Sequence, residues 1–273
     1  HMIEAHKKDG LALTKFIYWI KNVNKKIITE VEAQNKLEKF RKSNKAYLFP
    51  SFNTIAGTGS NGAIVHYRAT LKNTKKIMKK DLFLVDSGGQ YKYGTTDVTR
   101  TICFSRQKKS RMNAYTNVLK GHIAVAQTNL NKINTGKKID IRARKFLKKE
   151  GLDYAHGTGH GVGFFLNVHE GPQSISKYNN IQIDEGMILS NEPGFYKMNH
   201  FGIRIENLVY VQKSKNGLFF ENLTLAPMEN NLINYNLLNK NEKDYLFKYH
   251  LKIYSEYSNS LNKKERKWLA NLI

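Results

Sequence analysis

LFLVDSGGQYKYGTTDVTRTICF, residues 82–104, carries two apolar-rich runs on either side of a glycine-bounded turn region around Gln90 to Gly94. Such a pattern predicts two antiparallel strands joined by a hairpin. Centred between Tyr91 and Lys92, the hairpin sets Asp86 opposite Asp97. Opposed residues of an antiparallel pair point to the same face, with Cβ atoms roughly 4.5–5.5 Å apart. Two carboxylates that close repel each other unless a cation sits between them, and a hard divalent metal is the simplest such cation. A pair of solvated turn aspartates is the alternative, and the LFLV run ahead of Asp86 argues against it.

Working outward, two more acids sit in apolar surroundings. Glu192 ends an apolar strand in GMILSNEPGFY, and Glu206 lies inside FGIRIENLVYV. Alternation along the second run sets Arg204, Glu206 and Leu208 on one face, which makes Arg204 a candidate partner for a ligand carboxylate. Each glutamate alone reads equally as half of a salt bridge. Four acids in four strand-like contexts point instead to one organised cluster. HGTGHGVGFFLNVHEGP, residues 156–172, then brings His156, His160 and His169 among glycines that let backbone crowd close. Oxygen ligands from Asp86, Asp97, Glu192 and Glu206 with the His160 imidazole suit manganese, cobalt or iron. Four carboxylates balance two divalent ions, and such a pair can share and acidify a water. That is hydrolytic chemistry.

The rest of the chain sets bounds. Helical spacing predicts helices around Leu11–Ile20, from Thr29-Glu30 to about Arg41, over about 110–130, through Ile139–Leu147 to Gly151, and twice more at the C-terminus. Strands are expected near 187–191 and 202–211. GTGSNG, residues 57–62, formally matches a dinucleotide fingerprint, but AIVHY after it reads as a strand where that fingerprint needs a helix. The class is α+β, and residues 1–273 read as one domain with 224–273 as a helical extension. The leading His-Met reads as a cloning remnant. No apolar run reaches the roughly 20 residues that span a bilayer. The one cysteine, Cys103, rules out an internal disulfide and fits a reducing, cytoplasmic setting. A net charge of +23 raises nucleic-acid binding, yet the lysines are spread along the chain and asparagine is also abundant. A solvated basic surface with no nucleic-acid partner and no membrane is the expectation.

The order Asp, Asp, His, Glu, Glu in VDSGGQYKYGTTDVTRT, HGTGHGVG, NEPGFY and GIRIEN resembles the pita-bread metallopeptidases. NGAIVHY, TTDVTRT, the unbroken HGTGHGVG…NVHEGP and the C-terminal segment make it similar to the aminopeptidase P (Xaa-Pro aminopeptidase) branch. The resemblance runs from about Glu4 to the end. It implies a curved antiparallel sheet flanked by helices, built from two halves related by a pseudo-twofold. It also implies two divalent ions, commonly Mn2+, sharing a water, and release of the first residue from peptides with proline second. By this resemblance Asp86, Asp97, His160, Glu192 and Glu206 hold the metals, with Asp97 and Glu206 bridging. His169 stabilises the tetrahedral intermediate, His66 contacts substrate near the scissile bond, Glu192 handles protons, and His156 lines the proline pocket. His66 and His156 taken alone read equally as packed histidines. Members of the branch carry further domains ahead of this one, which points to a catalytic fragment of a protein that forms a homodimer at full length. An Xaa-Pro dipeptidase on the same fold and a non-catalytic binding module are the competing readings.

Overall fold

The computed structural model describes residues 1–23 and 27–273. Helix α1 (Met2–Asn22) packs against α2 (Glu30–Lys42), which opens on a capping box between Thr29 and Glu32. Leu13, Phe16, Ile17 and Ile20 of α1 share a buried cluster with Leu37 of α2 and with Phe83, Val85, Val98 and Ile102 of the strands below. A buried ion pair also ties the two helices. Arg41 Nε donates to Asp9 Oδ1 over 2.7 Å, and the Tyr91 hydroxyl donates to the same oxygen over 2.8 Å.

Four short strands lead into the hairpin region and two more complete it. They are β1 (Tyr47–Pro50), β2 (Ile55–Thr58), β3 (Leu82–Ser87), β4 (Gly89–Tyr91), β5 (Gly94–Thr95) and β6 (Val98–Cys103). β2, β3 and β6 form one antiparallel sheet, while β1, β4 and β5 form another. The predicted run therefore breaks at Gly88, where a Cβ would meet the Thr96 carbonyl oxygen at 1.9 Å, so the chain can bend there only as glycine. Register differs from expectation too. The two-residue turn falls at Lys92-Tyr93, with Tyr91 paired to Gly94. Asp86 is consequently opposite Thr99, and Asp97 lies one diagonal step away, just ahead of β6. The diagonal neighbour still shares a face. AIVHY is not a strand. Ala63 closes a single 3-10 turn (Gly59–Ala63), and turn hydrogen bonds from Ile64 N–H to Asn61 and from Tyr67 N–H to Ile64 take its backbone groups.

The second half repeats the plan with α3 (Lys109–Ala126) on α4 (Gly136–Lys148) and a five-stranded antiparallel sheet. Its order is β13 (Gly217–Asn222), β12 (Asn207–Ser214), β9 (Ile188–Asn191), β7 (Gly159–Gly161), β8 (Glu170–Ile175). A two-stranded hairpin, β10 (Gly194–Lys197) and β11 (Phe201–Arg204), bridges toward the first half. Helices α5 (Lys240–Tyr257) and α6 (Lys263–Ala270) close the chain, each with an asparagine capping box. Leu246, Tyr249 and Ile253 of α5 pack in one cluster with Tyr115 and Leu119 of α3 and with Ile203 and Ile205. Among the described residues no helix is long and apolar enough to cross a membrane.

Candidate metal centre

Strand ends deliver the acids. Asp86 is the last residue but one of β3, Asp97 immediately precedes β6, Glu192 follows β9, and Glu206 sits between β11 and β12. His160 is the middle residue of β7. All five, together with His66, His156 and His169, line one cavity of about 500 Å3. Every site residue expected from the sequence therefore reaches one place, from segments up to 140 positions apart.

Within that set the spacing is uneven. Ligand atoms of Asp97, His160 and Glu206 lie within 4.8 Å of one another. His160 Nε2 is 3.5 Å from Asp97 Oδ2 and 3.3 Å from Glu192 Oε1. His160 Nδ1 faces its neighbour's carbonyl, the Gly161 oxygen at 2.9 Å, which calls for the proton on Nδ1. Nε2 is then the ring atom that faces the two carboxylate oxygens, so an imidazole nitrogen and two acids converge on one point. A cation at that point would be shared by all three, and the carbonyl that fixes the ring is the usual outer partner of a metal-binding histidine. Asp86 and Glu192 stand slightly apart from the tight group. Arg204 Nη2 donates to Asp86 Oδ2 over 2.6 Å, and the Ser190 hydroxyl donates to Glu192 Oε1 over 2.9 Å.

Electrostatics point the same way. Oδ1 of both Asp86 and Asp97 is buried without a hydrogen-bond partner among the described residues. Burial, followed by repulsion from Asp86 and Glu192, pushes the Asp97 carboxyl well above the usual range. Burial, then Asp97 and Glu192, does the same for Glu206. Thr99 is one of the few groups that support this pair directly, its hydroxyl donating to Glu206 Oε2 over 2.8 Å. Orphaned oxygens and crowded acids with an imidazole fit hard divalent cations.

The histidines divide by environment. The rings of His160 and His169 approach to 4.1 Å between centroids. Burial lowers His169, with His160 adding to the effect, which favours its neutral form. Burial likewise lowers His156. His156 Nδ1 faces the Gly157 carbonyl at 2.7 Å, so Nδ1 carries the proton and Nε2 accepts from the Tyr196 hydroxyl over 2.9 Å. Tyr196 in turn accepts from Arg204 Nη1 over 2.6 Å. A chain of hydrogen bonds thus runs His156–Tyr196–Arg204–Asp86.

Tyr196 escaped the sequence reading because GFYK offers nothing to separate it from a packed aromatic. Arg100 escaped it for a similar reason. It is 1% exposed in the middle of β6 and has no carboxylate partner among the described residues. Its guanidinium instead donates to the Glu206 carbonyl at 2.6 Å, the Thr99 and Ala226 carbonyls, Asn207 Oδ1 and the Tyr249 hydroxyl. Arg100 locks the backbone beside Asp97 to the backbone of Glu206, and Tyr249 brings α5 into the same knot. Phe52, Ile55, Val65 and Val168 give the cavity an apolar side.

The model of metallopeptidase family M24 matches residues 1–213, and that of the C-terminal region of peptidase M24 matches residues 216–272. The chain is 44% identical to a probable Xaa-Pro aminopeptidase P of Paracoccidioides brasiliensis, over 98% of this chain and 46% of that protein. It is 42% identical to a protein of the same name from Pyrenophora teres, over 96% of this chain and 42% of that one. The chain spans about half the length of the curated relatives it matches. Among solved structures it superposes on an X-prolyl aminopeptidase of Caenorhabditis elegans, described as a cytosolic enzyme with a di-nuclear active site. The TM-score is 0.93 at 35% identity, covering 99% of this chain and 46% of that one. A prolidase from Pyrococcus furiosus gives 0.70 at 30% identity, over 82% of this chain and 64% of that one.

Proposed function

The chain belongs to metallopeptidase family M24 and has its pita-bread α+β fold, and on that premise we propose that it is the catalytic part of a metal-dependent Xaa-Pro aminopeptidase. The observation that carries the proposal is His160 Nε2 directed at Asp97 and Glu192 oxygens, at 3.5 and 3.3 Å, while Nδ1 is taken by the Gly161 carbonyl. Asp86, Asp97, His160, Glu192 and Glu206 would hold two divalent ions, which supply Lewis acidity and an acidified water when bound. Manganese is our choice, because four of the five donors are carboxylates.

The remaining work falls to the chain's own side chains. Glu192 lies beside His160 with one oxygen engaged by Ser190, which leaves its other oxygen to take a proton from the attacking water and pass it on. His169, held neutral by burial, presents a ring N–H toward the oxygen of the carbonyl under attack. His66 reaches the same cavity and contacts substrate near the scissile bond. His156, orientated by Gly157 and Tyr196, borders a pocket for the second residue, and Phe52, Ile55, Val65 and Val168 supply apolar surface suited to a proline ring. The assay is hydrolysis of an Xaa-Pro-Xaa peptide by the purified chain, with Mn2+ and after chelation. Metal-dependent release of the first residue, lost when alanine replaces proline, supports the proposal. Cleavage of Xaa-Pro dipeptides but not of longer peptides would move the chain to the dipeptidase reading, which the likeness to a prolidase favours as the second choice.

A further inference from the structure

Glu30 lies outside the cavity, in the first turn of α2, and is fully buried. Its Oε1 accepts from the Thr58 N–H at 2.7 Å and Asn61 Nδ2 at 3.0 Å. Oε2 accepts from Asn61 Nδ2 at 3.1 Å, the Tyr67 hydroxyl at 2.9 Å and the Lys75 N–H at 2.9 Å. No lysine, arginine or histidine pairs with it among the described residues. Hydrogen bonds alone replace the water that this carboxylate loses on folding.

The donors come from the end of β2, from the 3-10 turn after it, and from the segment that follows. Residues 64–81 contain no helix or strand, so nothing regular fixes their path. α2 holds that path instead. Besides the side-chain bonds, Glu30 N–H donates to the Lys75 carbonyl over 3.0 Å and Val31 N–H to the Thr74 hydroxyl over 3.2 Å. Between the two clamps lie His66 and Arg68, both lining the cavity. Tyr67, between them in sequence, is buried and bonded to Glu30, while His66 is exposed to the cavity. The residue that turns inward anchors the residue that turns outward.

We propose that Glu30 is a positioning residue for His66, setting that imidazole through Tyr67 and Asn61 without touching substrate. This rests on the reading that His66 contacts the substrate. Glu30→Gln puts an amide N–H2 against donors that now find an acceptor, whichever way it is turned, so the cradle must shift. The test is a double-mutant cycle of Glu30→Gln and His66→Ala on an Xaa-Pro-Xaa peptide, with Mn2+ affinity followed by calorimetry. Glu30→Gln alone is expected to lower kcat/KM about 10–100-fold, the range for a displaced catalytic group. In the His66→Ala background the same change should cost less than about 3-fold, because the group it positions is gone. Mn2+ affinity should stay within about 3-fold, since no metal-holding residue touches Glu30. Losses that multiply, or Mn2+ binding that weakens in step with turnover, would show general loosening and overturn the inference. Should Glu30→Gln fail to fold, Tyr67→Phe removes one donor from the same cradle and must show the same non-additivity at smaller amplitude. A His66→Ala variant as active as the parent would also overturn it, while wild-type metal-dependent hydrolysis separately upholds the proposed function.

Discussion

Replacing Asp97 by asparagine should have opposite effects on the metal-free and metal-loaded protein. Without metal, Asp97 is buried, its Oδ1 is unpartnered, and Asp86 and Glu192 repel it, so a neutral isostere relieves strain. Asparagine should therefore stabilise the chelated protein by about 1–2 kcal/mol, because it removes the charge that burial and the neighbouring acids disfavour while leaving the shape unchanged. With metal the sign reverses. An ion at 100 times its dissociation constant stabilises the folded state by about 2.7 kcal/mol. At about 2.1 cal/mol/K per residue, a chain of 273 residues has an unfolding entropy of roughly 0.57 kcal/mol/K. Metal should then raise Tm by about 5 °C in the parent, while Asp97→Asn gains 2–3 °C in chelator and almost nothing from Mn2+ (about 1 °C or less). Differential scanning fluorimetry at pH 7, with Mn2+ and with chelator, reads all four values. A variant whose metal-induced shift equals that of the parent would refute the reasoning, because Asp97 would then hold no ion.

Three further outcomes are expected. His250 is buried, its Nε2 accepts from the Met228 N–H, and burial lowers it to about 4 from an unfolded value near 6.5. The unfolded state binds the extra proton between those values, so stability is full above pH 6.5 and falls as pH drops. The loss reaches about 2 kcal/mol by pH 5. Urea unfolding at pH 7 and pH 5 should show that loss, and His250→Gln should shrink it; an unchanged slope would exclude His250 as its source. Tyr196→Phe removes the hydroxyl between His156 and Arg204, and should lower kcat/KM about tenfold, the worth of one charge-assisted hydrogen bond, with metal content unchanged. Tyr249→Phe orphans the Ala226 N–H and takes one acceptor from Arg100, so thermal scans should show Tm lower by about 2–5 °C; no shift would mean that α5 does not brace this knot.

Local pattern revealed a good deal of this. Helical spacing and the Thr29-Glu30 start located α2 within a residue, since both signals act over one or two turns. The spacing of Leu13, Phe16, Ile17 and Ile20 located the second half of α1, which begins nine residues ahead of Leu11, at Met2. Asp86, Asp97, Glu192 and Glu206 stood out for one reason. A carboxylate inside an apolar strand is costly to bury alone, so its sequence context already asks for a partner. His160 and His169 stood out through the glycines around them.

Where the sequence misled, the deciding contacts were distant. The position of the hairpin turn depends on Gly88 meeting Thr96 and on β4 finding β1, and a one-residue move of the turn re-pairs Asp86 with Thr99. AIVHY has strand-forming residues, but local turn bonds take its backbone groups and Glu30 holds the Tyr67 hydroxyl. Tyr196, Arg100 and Glu30 look ordinary in sequence, because each has at least one deciding partner far away, His156, Tyr249 and Thr58 respectively. The sequence by itself determined which side chains must be neutralised and hence the class of chemistry, because burial cost is a property of the residue and its immediate neighbours. Only the tertiary structure decided which oxygen faces which nitrogen, because directional hydrogen bonds close between segments that approach one another only after the two halves fold together.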